Sequence, residues 1–246
     1  MSQTSSSTNV QATDLIIISV DDHVVEPPDM FEGRLSAKYA DRAPRVIENA
    51  LGQEMWLFEE LRPQLRAQRR IRPTTGGVRI EPTRFDEIRR GCWDVDSRVE
   101  DMNAGGVLAS LNFPSFPQFC GQIFANTADK DLALAILQAY NDWHIEDWAG
   151  AYPDRFIPLA LIPYWDPQLM AQRSVQCGQG GACDHVVREP RSSACPASQR
   201  HWDPFWRACD RPGMVLCLHI GSSSAVKLPS VEAPFMTMMN FCSQPL

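Results

Sequence analysis

Asp21, Asp22 and His23 close a run of mostly aliphatic residues, Leu15-Ile16-Ile17-Ile18-Ser19-Val20. A carboxylate and an imidazole two positions apart are oxygen and nitrogen donors of the kind that hold a divalent cation. Side chains on a strand alternate, so Asp21 and His23 face one side and Asp22 the other. One ion can therefore close on Asp21 and His23 together. The plainer reading makes the aspartate a cap for the next turn and leaves His23 satisfied by backbone. A second apolar run, Met214-Val215-Leu216-Cys217-Leu218-His219-Ile220-Gly221, again carries a histidine near its end. In parallel α/β folds function gathers where strands end, so Asp21, His23 and His219 are the candidate metal ligands of one site. Glu26 is a candidate for aiming a ligand imidazole by a hydrogen bond, and equally a plain loop carboxylate. Zinc suits mixed His and Asp donors, with manganese as the rival divalent metal.

The elements that must carry these residues alternate along the chain. The run from 15 to 20 shows no polar alternation, which predicts a strand covered on both faces. Residues 29–92 show only short periodic pieces and read as an insertion. Nine arginines crowd into it, at 62, 66, 69, 70, 72, 79, 84, 89 and 90. They could grip an anionic substrate through guanidinium forks, but a solvated insertion is the favoured reading. Asp96 is read as the N-cap of a short helix through Val99 and Met102 that Gly105-Gly106 stops. A second strand is expected at about 106–112.

A helix over roughly 128–149 follows from Leu132, Ile136, Tyr140 and Trp143, spaced four, four and three apart. His144 beside that stripe reads as a surface or packing residue. A third strand runs from Phe156 to Ile162, and Asp166-Pro167 opens another helix. His201 precedes a further helix, with Asp203 read as its cap and Trp202, Phe205 and Trp206 as packing. This strand-helix order is that of a parallel α/β fold.

Residues 177–200 break the pattern, with neither helical nor strand period. Cys177, Cys183, His185 and Cys195 are zinc-ligand types, but their spacing does not match structural zinc sites. Ser222 to Ser224 lack the Gly-x-Ser-x-Gly surroundings of a nucleophile elbow. No Gly-rich phosphate loop follows any strand, which argues against nucleotide cofactors.

Taken in order, five stretches carry a family resemblance. They are Ser19-Val20-Asp21-Asp22-His23-Val24-Val25-Glu26-Pro27-Pro28, the segments 105–114 and 151–160, His201-Trp202-Asp203-Pro204-Phe205-Trp206, and Leu216-Cys217-Leu218-His219-Ile220-Gly221. Over about residues 14–234 the chain resembles the amidohydrolase superfamily. The nearest branch is that of metal-dependent decarboxylases and hydrolases including aminocarboxymuconate-semialdehyde decarboxylase and γ-resorcylate decarboxylase.

The resemblance implies an α/β fold, an incomplete TIM-type (β/α)8 barrel with about five strand positions, the fourth scrambled. Shifting the reading frame by one base across about 178–200 yields a string that looks like that family's strand and loop, so this segment is expected to be a compensated frameshift. In the family, three more strands bring another His and an Asp to the metal. No counterpart follows His219, so no catalytic residue is assigned and the chain is expected to be a truncated member. Asp21 stands where other members have His or Glu. The implied activity is that of a metal-dependent hydrolase or carboxy-lyase on a small, aromatic or cyclic carboxylate. The alternative is a catalytically inactive remnant.

Composition fits that reading. The chain has 246 residues, 44% hydrophobic and 22% charged, enough for one core in a domain over 14–246. The first 13 residues are Ser/Thr/Gln-rich, lack the order of a signal peptide and read as a disordered tail. A net charge of −7 argues against a nucleic-acid partner, and no apolar run is long enough for a membrane span. Eight cysteines without an export signal suggest reduced thiols and a cytoplasmic protein. A small-molecule carboxylate is the expected partner, and a homo-oligomer is allowed.

Overall fold

The aliphatic run folds as strand β1 (Ile17–His23), in a computed structural model that describes residues 15–60, 70–74, 77–118, 120–179, 184–186, 200–210, 214–217 and 219. Two antiparallel hairpins follow: β2 (Arg45–Glu48) with β3 (Glu54–Leu57), and β4 (Arg70–Thr74) with β5 (Gly77–Glu81). Helix α1 (Val95–Gly105) leads into β6 (Val107–Phe113). Next come α2 (Gln122–Ala125), α3 (Lys130–Trp143) and a π-helical turn at His144–Ala149. The remaining elements are β7 (Phe156–Ile157), β8 (Leu159–Leu161), α4 (Pro167–Gln179), β9 (Asp184–Val186), α5 (Asp203–Cys209) and β10 (Leu216–Cys217).

Outside the hairpins, every strand pairing is parallel. The orders are β1-β6-β7 and β8-β9-β10. Only Pro158 separates β7 from β8, and a residue without an N–H cannot continue a ladder. Five strand positions result, linked by helical crossovers in the alternating order expected of the fold. Among the described residues the sheet stays open rather than closing into a barrel. The fourth position is held by β9, inside the stretch read as scrambled and without strand period. Its backbone pairs with strands on both sides, and such pairing does not require side-chain alternation.

Local signals explain most boundaries. Asp94, not Asp96, caps α1, its carboxylate accepting from the Ser97 N–H at 2.9 Å. Asp96 lies in the first turn and accepts from the Tyr152 hydroxyl at 2.8 Å. Gly106 ends the helix at φ 69°, where a residue without Cβ is at no disadvantage. Asp129 caps α3, and Leu132, Ile136, Tyr140 and Trp143 bury the predicted stripe. Asp166 accepts from the Gln168 and Leu169 N–H groups ahead of α4, as its Asp-Pro start predicts. Asp203 is not the cap of α5; that position is Trp202, and Asp203 instead pairs with Arg207 at 3.6 Å across one turn.

The insertion is more ordered than its weak periodicity suggests. The β2–β3 turn is set by Asn49, whose side-chain oxygen accepts from the Leu51 and Gln53 N–H groups, with Gly52 at φ 74°. Trp56 and Phe58 carry this hairpin into the core, where Trp56 stacks on Phe116 at 4.4 Å. Arg84 is spent on Glu48 and Glu54, and Arg89 on Asp101, which accords with a solvated insertion. Arg62, Arg66 and Arg69 lie outside the described residues.

Strand β1 departs from expectation. Leu15, Ile16, Ile17, Ile18 and Val20 are all exposed, Ile16 by 73%. The strand is the edge of its sheet, with β6 on one side and no neighbour on the other among the described residues. A flat aliphatic edge of this kind promotes association. Replacing Ile16 and Val20 together by lysine is expected to lower the self-associated fraction in light scattering. The unfolding midpoint in denaturant should shift by no more than ~0.5 kcal/mol equivalent for each change. Unchanged scattering would show that this edge plays no part in association.

Candidate metal centre

Strands β1 and β10 sit in the first and last of the five positions, yet their C-terminal ends converge. Asp21, His23 and His219 each offer a donor atom, and the three atoms lie within 4.8 Å of one another. The carboxylate of Asp21 stands 3.2 Å from Nε2 of His219. The rings of His23 and His219 meet edge to face with centroids 5.3 Å apart. Phe113, the last residue of β6, packs against both, its ring 4.6 Å from His219 and 6.0 Å from His23. Asp21 and His23, paired by alternation, and His219, read near the end of a second apolar run, thus lie together. One carboxylate and two imidazoles at this spacing could hold a cation.

His23 is aimed mainly by main-chain groups. Its ring hydrogen-bonds the carbonyl of Pro114, and its own carbonyl accepts from the guanidinium of Arg98 on α1. The following residues are tied as firmly: the Val24 N–H donates to Phe113 O at 3.0 Å and the Val25 N–H to Cys92 O at 2.8 Å. Burial, followed by the neighbouring His219, holds the His23 imidazole below its ordinary pKa, while Asp21 opposes the shift. A neutral ring is the form that offers a lone pair to a metal.

Asp22 faces the other way, as alternation requires. Its carboxylate accepts from the Ser110 hydroxyl. Asn112 in turn donates to Ser110 Oγ at 2.9 Å and accepts from Trp148 Nε1 at 2.9 Å. This line of polar groups crosses the sheet where the β1–β6 register is irregular. Ser19 lies opposite Ser110 and Asp22 opposite Asn112, three residues against two, and an earlier irregularity near Ile17 compensates. Ser110 and Asn112 are essentially inaccessible, so each needs the partners it has. Sequence reasoning passed over both, although two polar residues on one face of an otherwise apolar strand are a readable sign of such a line.

Glu26 does not aim an imidazole directly. Its carboxylate, 1% exposed, accepts from the N–H groups of Ser115 at 2.8 Å and Phe116 at 2.7 Å, and from the Tyr140 hydroxyl at 3.3 Å. The reason is geometric: Val24 and Val25 run across the tip of β6, so position 26 arrives over the turn after that strand rather than over the rings. His144 is the packing residue expected. The π-helical turn directs it inward, where its Nε2–H donates to Asn112 O at 3.1 Å and its Nδ1 accepts from the Leu159 N–H at 3.5 Å. His201 is exposed. Cys183, Cys195 and Ser222 to Ser224 lie outside the described residues, as does most of the stretch read as frameshifted.

A family model described as Amidohydrolase matches residues 28–244. No curated protein matches the chain. Among solved structures, an amidohydrolase from Mycobacterium avium subsp. paratuberculosis K-10 shares 18% identity at a TM-score of 0.62, over 86% of this chain and 60% of its own. A dihydroxybenzoic acid decarboxylase from Polaromonas sp. JS666, solved with bound manganese and 2-nitroresorcinol, shares 18% identity at a TM-score of 0.49, over 94% of this chain and 55% of its own. A 2,6-dihydroxybenzoate decarboxylase from Rhizobium shares 15% identity at a TM-score of 0.47, over 90% and 53%. The chain therefore spans about three fifths of the first of these and little more than half of the others.

Two buried ionisable groups behind the site pull stability in opposite directions. Burial lifts the Glu26 carboxyl to about 7 from an ordinary 4.5, against the hydrogen bonds it accepts. Burial lowers the His144 imidazole to about 4 from 6.5, against its bond to Asn112. For Glu26 the folded chain holds a proton that the unfolded chain releases, so its contribution is full below pH 4.5 and lost as pH rises toward 7. For His144 the unfolded chain takes up a proton that the folded chain refuses, so its contribution is full above pH 6.5 and lost as pH falls toward 4. Each effect is on the order of 3 kcal/mol, and the two cancel between pH 4.5 and 6.5. In Glu26→Gln, stability of the metal-free protein is expected to climb with pH across that window. The wild type should stay nearly level, read by urea denaturation at a series of pH values. Parallel profiles for the two proteins would refute this assignment.

Proposed function

The chain belongs to the amidohydrolase family, and on that footing we propose that it is a metal-dependent hydrolase or carboxy-lyase acting on a small aromatic or cyclic carboxylate. The observation that carries this reading is the convergence of Asp21, His23 and His219 donor atoms within 4.8 Å. The donor set fits a divalent cation. With bonds of about 2.0–2.2 Å, neighbouring ligands on a tetrahedral ion stand about 3.5 Å apart, close to the 3.2 Å between Asp21 and His219. Zinc suits this mixture of nitrogen and oxygen donors, and manganese accepts it as well. We infer a cytoplasmic setting, in which eight cysteines stay reduced.

Bound there, a divalent cation would polarise a substrate oxygen or lower the pKa of water. The residues of the chain supply the rest. Asp21 contributes one negative charge and the two imidazoles none when neutral, so a doubly charged ion keeps a net positive charge that attracts a carboxylate. Phe113 packs against both rings. The Pro114 backbone meets the His23 ring, and a backbone carbonyl bonded to one ring nitrogen would leave the other for the metal.

A catalytically inactive chain is the second reading, favoured by the exposed aliphatic edge of β1. Metal analysis separates the two. The purified chain, loaded with zinc or manganese and dialysed, is expected to keep one ion per chain. Asp21→Ala, His23→Ala and His219→Ala should each weaken binding by at least about tenfold, the lower bound set by losses of supporting residues. Release of carbon dioxide from a panel of hydroxybenzoates, or hydrolysis of esters and amides, then assigns the reaction. A chain that retains no metal and aggregates would favour the inactive reading.

A further inference from the structure

We propose that Glu26 is a positioning residue for the metal centre and acts through the backbone turn at residues 113–116 rather than through an imidazole. The inference rests on the metal reading of Asp21, His23 and His219.

The turn after β6 does two things for the site. The carbonyl of Pro114 bonds the His23 ring, and the ring of Phe113 packs on both imidazoles. A metal-ligating histidine that donates its second ring nitrogen to a backbone carbonyl has its tautomer and ring plane set by that carbonyl. A carbonyl is only as well placed as the backbone that bears it. Directly after Pro114, the N–H groups of Ser115 and Phe116 both end on the carboxylate of Glu26, one on each oxygen. Tyr140 from α3 fixes Oε1 with its hydroxyl. Phe116 is further held by its stack on Trp56.

Glu26 lies three residues after His23, with the intervening Val24 tied to Phe113 O. The ligand segment and the turn thus form one closed unit. His23 reaches Pro114, Val24 reaches Phe113, and Glu26 reaches Ser115 and Phe116. A carboxyl group suits this in either protonation state, because both of its oxygens can still accept. Two N–H donors need two acceptor oxygens, and an amide has one oxygen and a donor NH2 that would confront the second N–H. A simple structural role would require a buried carboxylate somewhere. It would not require both oxygens to hold the two residues that follow the one whose carbonyl holds the ligand.

The test uses the full chain and manganese alone as probe, with wild type, Glu26→Gln, Tyr140→Phe and the core variant Ile136→Val. Two quantities are read: manganese affinity by calorimetry, and the tautomer of His23 in metal-free protein from ¹⁵N imidazole spectra. The expected result is a single His23 tautomer in wild type and Ile136→Val, and a mixture in Glu26→Gln. Manganese affinity should fall by roughly 10- to 100-fold in Glu26→Gln, the range for lost support of a metal ligand, and stay unchanged in Ile136→Val. Wild-type tautomer and affinity in Glu26→Gln would overturn the proposal. So would equal losses in Glu26→Gln and Ile136→Val, which would indicate general destabilisation. Should Glu26→Gln fail to fold, Tyr140→Phe decides, because it loosens the carboxylate while leaving both N–H bonds. A partial mixture supports the proposal and a single tautomer opposes it. If wild type binds no manganese, the metal reading fails on its own, and the metal-free tautomer still tests Glu26.

Discussion

The contact between the end of β1 and the end of β6 is what the candidate site is built on. Val24 donates to Phe113 O, His23 bonds the Pro114 carbonyl, and Ser110 donates to Asp22. Each of these bonds is short in sequence reach on its own strand but joins residues roughly 90 apart in the chain. Together they decide the rotation of β1 about its axis at the point where Asp21 and His23 leave it. On a strand that rotation is all or nothing, since a one-residue slip sends every side chain to the opposite face. The irregular register opposite Ser110 and Asn112 would be a weak place without the hydroxyl and amide that fill it.

Behind this contact, five deeply buried polar side chains each have hydrogen-bond partners. Glu26, Ser110, Asn112, Asn141 and His144 are each inaccessible or nearly so. Asn141 gives its amide to Leu161 O and accepts from the Leu161 N–H, both at 2.8 Å, and so stands in for a neighbouring strand at the end of β8. Satisfied networks of this sort specify one arrangement, because any alternative packing strands a buried donor or acceptor. The π-helical turn contributes here. By widening the last turn after α3 it brings His144 and Trp148 to bear on Asn112 from the side opposite Ser110.

Much of this was legible in the sequence, and the parts that were not have identifiable causes. The alternation at Asp21 and His23, the His219 strand, the α3 stripe and the Asp-Pro start of α4 are all local patterns, and each corresponds to what is seen. The cap of α1 lies two residues before Asp96, at Asp94; a carboxylate at either position can cap, and Asp96 is engaged by the Tyr152 hydroxyl. The β2–β3 hairpin hid behind a loop-like composition, since its turn depends on the Asn49 side chain and not on a two-residue Asn-Gly signal. Glu26 stands out in the sequence for its chemistry, equally as an aid to an imidazole or as a plain loop carboxylate, and neither reading names the turn it holds. Strand alternation says where a side chain leaves the sheet, not which loop from another strand will meet it. Burial of β1 failed for a related reason: an apolar run records that a strand can be covered, whereas coverage depends on neighbours elsewhere in the chain.

That last failure bears on whether an open sheet can support a well-formed site. Exposure along β1 is not uniform. Ile16 is 73% exposed, while Val24 is fully buried only eight residues on. The candidate ligands lie across the boundary, with Asp21 exposed and His23 half-buried. The bare half of the strand is the end away from the site. The half that carries donors is gripped by β6, by Arg98 from α1 and by the turn that Glu26 holds. Local stability follows local burial and hydrogen bonding, so the donor end of β1 stays ordered by contacts that do not involve the uncovered edge. The geometry of Asp21 and His23 is thus fixed from the β6 side. The candidate ligand that depends most on the far side of the sheet is His219, which follows the two-residue strand β10, packs on Phe113 and faces Asp21 and His23.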